Sequence, residues 1–191
     1  MNRYRSIILL WAGSIYVPTA VTQLAVRAGN SAADAARLAS YGSIVLAIGT
    51  IIGCVMVPPL AERFGRKATM ALFLTVLGIS AAVGFGSVFY QDNALTAFMV
   101  CVFFMGIGGA NFAVYTIWLP EQYTTDCRAS AIGFISSVGR FVGVAMVFLL
   151  GSGIARYGSL GVPVAVVALA FIVGLVLLPK ARETRGQVLP A

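Results

Sequence analysis

Long apolar runs separated by short polar joints dominate this sequence. They can be marked at about 6–26, 38–59, 68–89, 95–118, 129–153 and 161–179, and each is close to the roughly 20 residues that a helix needs to cross a hydrocarbon layer. The runs are continuously apolar, whereas the strands of a lipid-facing barrel alternate over segments of about ten residues. In lipid the backbone must satisfy its own hydrogen bonds, so such runs become helices. Composition agrees: 60% of residues are hydrophobic and 10% charged, against roughly 25% charged in a soluble domain. The predicted fold class is an all-α membrane protein with six transmembrane helices over residues 1–191, in which 180–191 form a tail.

Charge sorts by joint. Arg3, Arg5, Arg63, Arg66, Lys67, Arg128, Lys180, Arg182 and Arg185 fall on one side, and Arg27, Arg37 and Arg156 on the other. The positive-inside rule then predicts both termini in the cytoplasm and a multi-pass protein of the plasma (inner) membrane. The net charge of +7 is mostly this topology signal, so the expected surroundings are the bilayer and not nucleic acid. The N-terminus superficially resembles a signal peptide. Its apolar run is too long, however, and carries Tyr16, Pro18, Thr19, Thr22 and Gln23 without a clear cleavage site, so it reads as the first span.

Cys54 and Cys101 lie in spans and Cys127 in a cytoplasmic joint, so no disulfide framework is implied. With no histidine in the chain, neither a metal site nor a cofactor is expected. An intramembrane enzyme is not expected either, because acid–base chemistry needs converging His, Asp or Glu and the spans lack all three.

Within the spans, glycine spacing marks faces where helices approach closely: Gly49 with Gly53, Gly139 with Gly143, and the cluster Gly106, Gly108, Gly109. Pro18 and the pair Pro58, Pro59 are expected to kink or end their helices. In the fifth span Gly133, Ser136, Ser137, Arg140 and Gly143 share a small, polar face, while Phe134, Phe141 and Phe148 recur on another. Arg140 is thus expected to point into the bundle. At 1.5 Å per residue it lies roughly 18 Å beyond Arg128, near the middle of the hydrocarbon layer. Two further stripes run along Asn111, Tyr115 and Trp118 in the fourth span and along Tyr16, Thr19 and Gln23 in the first. Such stripes serve either interhelical hydrogen bonding or a cavity lining, and the buried arginine tilts the reading toward a cavity. The candidate solute-binding residues are therefore Arg140, Asn111, Tyr115, Trp118, Tyr16 and Gln23.

The joint PPLAERFGRKATMAL, residues 58–72, has Gly65 at a tight turn between Arg63 and the pair Arg66, Lys67. Its order of acid, base, Gly, base, base resembles the signature joint G-x-L-A-D-R-x-G-R-K of the major facilitator superfamily. Glu62 stands in the Asp position and Pro58 in the leading Gly position. PEQYTTDCRASAIGF, residues 120–134, looks like the P-E-x-(F/Y)-P-T-x-x-R-A joint of sugar-porter and metabolite:proton-symporter families, with Thr124 in place of Pro. RETRGQVLP, residues 182–190, is similar to their P-E-T-K-G-x-x-L-P closing motif, with Arg182 in place of Pro. In order and spacing the three match helices seven to twelve.

The resemblance implies the C-terminal half of a twelve-helix transporter with its substrate path between two six-helix halves. It also implies a cytoplasmic ionic latch, carried here onto Glu62, Arg66, Glu121, Arg128 and Glu183, with Arg63 and Gly65 in the same joint. The offset of Arg140 from Arg128 resembles that of an Asn–Trp pair beside the sugar-porter cavity. All six carboxylates, Asp34, Glu62, Asp92, Glu121, Asp126 and Glu183, sit in joints or the tail. The counter-charge of Arg140 is then an anionic substrate, a carboxylate on a second half, or carbonyls and water. The expected function is proton-coupled transport (symport) of a small polar metabolite, an organic carboxylate or a sugar, by alternating access. The expected partner is a second six-helix half, either this chain itself or a separate N-terminal half. The alternative is a non-transporting membrane subunit or truncated remnant of such a transporter.

Overall fold

The computed structural model describes residues 5–157, 175–176, 178–181 and 183–186, and every regular element among them is helical. The helices are α1 (Arg5–Arg27), α2 (Ala32–Phe64), α3 (Arg66–Gly86), α4 (Leu95–Gly109), α5 (Asn111–Trp118) and α6 (Thr125–Tyr157). Short 3-10 turns, Val88–Tyr90, Pro120–Gln122 and Leu178–Lys180, sit between or after them. Among the described residues, four stretches are long and apolar enough to cross a membrane: Ala32–Phe64, Arg66–Tyr90, Leu95–Gln122 and Thr125–Gly153. The sixth expected span, 161–179, lies almost wholly outside the described residues.

Local chemistry sets the helix ends. Ser31 caps α2 by accepting the Asp34 N–H at 3.2 Å, while its hydroxyl donates to the Asp34 carboxylate at 2.7 Å, and that acid suits the positive end of the helix. At the other end the Gly65 N–H bonds the Ala61 carbonyl at 3.1 Å. Gly65 has φ +91°, a conformation that glycine adopts without a Cβ penalty, and α3 starts at the very next residue. Pro58 and Pro59 do not end α2, contrary to expectation: the helix runs on to Phe64. Both rings are exposed while Val57 beside them is buried, so the bulky pyrrolidines stay out of the packed interior.

The expected fourth span at 95–118 is two helices. The chain breaks at Ala110, whose N–H reaches back only three residues to the Ile107 carbonyl at 3.1 Å. Packing accompanies the break, since Gly108 lies so close to α3 that a Cβ there would come within 2.4 Å of the Leu77 nitrogen.

α4 packs against α2 and α3, and α1 packs against α2 and α6. In lipid, apolar burial alone gives helices little reason to associate, and close backbone approach supplies it. Gly49, Gly53 and Gly106, marked from sequence, do this. A Cβ on Gly49 would lie 2.3 Å from the Phe103 carbonyl oxygen, one on Gly106 2.3 Å from that of Leu46, and one on Gly53 2.6 Å from that of Ile107. At the end of the bundle where α1 finishes, Phe85, Phe89 and Phe98 form an edge-to-face cluster, with Phe85 and Phe98 centroids 5.2 Å apart. On α6, Phe134, Phe141 and Phe148 are 66%, 77% and 73% exposed, as a lipid-facing row requires.

Candidate functional site

Three segments distant in sequence converge at the end of the bundle carrying the α2–α3 turn. The Arg66 guanidinium donates through Nε to both carboxylate oxygens of Glu121, at 3.2 and 3.0 Å, and through Nη2 to Oε1. This is the fork geometry in which Arg grips a carboxylate better than Lys can. The two side chains are only 14% and 15% exposed, so solvent screens the pair less than an ordinary surface pair. Arg66 Nη1 also donates to the Ala61 carbonyl, tying the guanidinium to the last turn of α2.

The tail closes the cluster. The Glu183 carboxylate accepts the backbone N–H groups of Arg66 at 2.9 Å and Lys67 at 3.0 Å. These are the first two residues of α3, whose N–H groups have no partner within the helix, and a carboxylate also suits its positive end. Burial pushes the Glu183 carboxyl up, but the N–H donors of Lys67, Arg66, Arg185 and Thr184 together outweigh it and hold the group below the usual carboxylate range. A Cβ on Gly65 would come within 2.9 Å of Glu183 Oε2, so the glycine leaves the space that the carboxylate uses. Thr184 donates its hydroxyl to Glu121 Oε2, and Lys67 Nζ donates to the Pro179 carbonyl at 2.8 Å.

Arg66, Glu121 and Glu183 are thus brought together as the motifs imply, with Gly65 making room. Glu62 and Arg63 are exposed at the rim, the Arg63 guanidinium lying 5.5 Å from the Phe64 ring centroid. Arg128 donates to backbone carbonyls, Pro120 at 3.1 Å and Tyr123 at 3.2 to 3.3 Å, and so braces the turn that leads into α6. Thr184 was not singled out from sequence; its signal was a small hydroxyl flanked by Glu183 and Arg185, and it is 2% exposed.

Among the described residues the other candidates stand in different surroundings. Asn111 is fully buried; its amide donates to the Gly108 carbonyl at 3.0 Å across the helix break, and its Oδ1 has no partner among the described residues. Trp118 is 4% exposed, in the core, and Tyr115 is half-buried. Tyr16 spends its hydroxyl on the Val147 carbonyl at 3.2 Å, joining α1 to α6, whereas Thr19 and Gln23 face outward. Arg140 is exposed on the surface of α6 and does not point into the described helices. The buried line of that helix passes through Ile135, Gly139 and Gly143, and one residue turns the next side chain by about 100°. A face drawn through Gly133 and Ser137 was therefore set too far round the helix. Among the described residues no ion pair is made by Arg140. A groove of about 780 Å³ runs beside α2, lined mainly by apolar side chains that include Leu46, Ile51, Cys54 and Phe112.

The sequence profile of the Major Facilitator Superfamily matches residues 6–191. The chain is 27% identical over 191 residues to the niacin transporter NiaP of Acinetobacter baylyi, covering 95% of this chain and 40% of that protein. It is 31% identical over 155 residues to mouse solute carrier family 22 member 17, with 78% of this chain and 37% of that protein covered. The chain therefore spans well under half the length of these relatives. Its fold is similar to that of the proton:xylose symporter XylE bound to 6-bromo-6-deoxy-D-glucose, at TM-score 0.79 and 18% identity, covering 95% of this chain and 44% of that one. A match over residues 6–191, transporter relatives and a shared fold lead to one conclusion: the chain belongs to the Major Facilitator Superfamily.

Proposed function

We propose that this chain is the C-terminal six-helix half of an alternating-access transporter, set in the plasma membrane with both termini in the cytoplasm. Its solute is a small polar metabolite, with an organic carboxylate favoured over a sugar. Arg140 carries this reading. A guanidinium stays charged under all physiological conditions, and mid-membrane cations persist where they meet an anion or a polar cavity. Every carboxylate of the chain belongs to a joint or the tail, so Arg140 is answered by an anionic solute, by a carboxylate of a second half, or by carbonyls and water, and this reading takes the solute. An exposed position on α6 suits a residue that faces such a half. Niacin, the solute in the name of the NiaP relative, bears a carboxylate. Coupling to protons requires a titratable group supplied by the second half, since the spans contain no Asp, Glu or His.

The cluster of Arg66, Glu121, Thr184 and Glu183 acts in this reading as the inner latch. It need only bias the balance between two states by a few kcal/mol, because both must be populated during a cycle. The exposed candidate Gln23, with Thr19 beside it on the same face, extends the solute path along α1.

The test is uptake of labelled monocarboxylates and sugars by liposomes containing the chain, alone and with a candidate N-terminal half. Saturable uptake that Arg140→Gln abolishes, with the protein still folded, supports the reading. Unchanged uptake by Arg140→Gln removes Arg140 from the site. The second reading is a non-transporting membrane subunit or truncated remnant of such a transporter. Folded protein without uptake in either preparation would support it.

A further inference from the structure

Arg27 is the last residue of α1, and it reaches away from its own helix. Its Nη1 donates to the Phe89 carbonyl at 3.2 Å, and its guanidinium carbon stands 4.8 Å from the centroid of the Phe89 ring. Phe89 is fully buried in the aromatic cluster, in the 3-10 turn between α3 and α4. One side chain thus joins α1 to the α3–α4 turn by a charged hydrogen bond and a cation–π contact at once.

The end of α1 does not need Arg27 as a cap. Its last carbonyls are satisfied locally: Ala28 N–H bonds Leu24 at 3.0 Å, Gly29 N–H bonds Val26 at 3.0 Å, and both Asn30 nitrogens reach Ala25. Gly29 supplies the left-handed turn, with φ +82°. Nearby, α1 packs through Ala20, Val21, Leu24 and Ala25, all buried, and Arg27 is the charged side chain that ties its end to the α3–α4 turn. Below them Pro18 interrupts the hydrogen-bond ladder of α1. The segment from Thr19 to Arg27, about 13 Å long, therefore has a point of flexion at one end and the Phe89 fastening at the other.

We propose that Arg27 is a positioning residue that clamps the upper segment of α1 to the α3–α4 turn and so fixes where the outward-facing Thr19 and Gln23 stand. When the clamp opens, the segment tilts about Pro18. The clamp itself is independent of the transport reading; only its consequence for solute contact rests on it.

The experiment uses the full chain in lipid vesicles, with the three cysteines replaced by serine and spin labels placed at Gln23 and Asp92, both exposed. Pulsed dipolar spectroscopy should give one narrow distance distribution in this background. Arg27→Gln should raise a second, displaced population by about tenfold, the scale of one charged hydrogen bond and one ring contact. Arg27→Lys, which keeps charge but loses the planar fork, should fall between, and Phe89→Leu, which keeps the carbonyl, should also show the displaced population. A label pair at Ala68 and Asp126, at the opposite end, should not change. If Arg27→Gln does not fold, Arg27→Lys and Phe89→Leu decide. Distributions unchanged in every folded variant, or equal broadening at the opposite end, overturn the proposal.

Discussion

Removing the Glu183 carboxylate should uncover the start of α3. In Glu183→Ala the Arg66 and Lys67 N–H groups lose their acceptors, which stand at 2.9 and 3.0 Å. Two charged hydrogen bonds are worth about 1.5–3 kcal/mol each before water replaces them, and water at this end of the bundle recovers part, leaving a net loss of about 2–3 kcal/mol. Amide exchange at 66–67 should then accelerate roughly 30- to 150-fold. Exchange followed by mass spectrometry on peptides spanning 64–70 checks this, with peptides from α4 as the unaffected reference. Glu183→Gln retains one acceptor oxygen and should lose about half as much in free energy. The pH dependence has a definite sign. The folded pKa lies below the ordinary 4.5, so the stabilisation is complete above that value and disappears as pH falls through the folded value. Acid-induced loss of protection should therefore begin only below about pH 4.5 and be absent from Glu183→Gln. Equal exchange in the parent and Glu183→Ala, or loss of protection between about pH 5 and 7, would refute the reasoning.

Gly49→Ala should cost about 3 kcal/mol or more, since its Cβ would stand 2.3 Å from the Phe103 carbonyl oxygen and backbone cannot move aside like a side chain. Gly133→Ala, with nothing within 4 Å of the new carbon, should be neutral or slightly stabilising in the helix. Thermal unfolding in lipid nanodiscs compares the two, and equal losses would contradict the close approach of α2 and α4. Asn111→Leu removes an orphaned buried oxygen and should change stability by under about 1.5 kcal/mol. Asn111→Asp, at a fully buried position, should cost about 3 kcal/mol or more at pH 8 and less in acid, where the new carboxyl is neutral. A Leu variant less stable than the Asp variant at pH 8 would refute this reasoning.

What the sequence made legible was periodicity and shape. Gly49 and Gly53 announced the α2–α4 contact because only small residues at four-residue spacing let backbones meet, and Gly65 announced the turn because its φ excludes most other residues. The Arg66, Glu121 and Glu183 convergence came through three recognisable motifs. The break at Ala110 was hidden within an uninterrupted apolar run without proline, because contact with Leu77 and the Asn111 amide make it, and both are tertiary. Arg140 was misplaced for a related reason. A helix face defined by composition alone is uncertain by one residue, which on a helix amounts to about a quarter turn. The Arg128 guanidinium donates to carbonyl oxygens in the adjacent turn, acceptors that no pattern of charges reveals.

The crossing of α2 and α4 has a mechanical consequence. Side chains cushion most helix pairs, and their rotamers absorb small slides. Where Gly49 faces Gly106, carbonyl oxygens and α-carbons themselves form the contact, and no rotamer is available to yield. The pair works like two splined shafts: α2 cannot travel along α4 without lifting clear of it. Sliding of α2 along α4 is therefore resisted at this crossing by a joint made almost wholly of main chain.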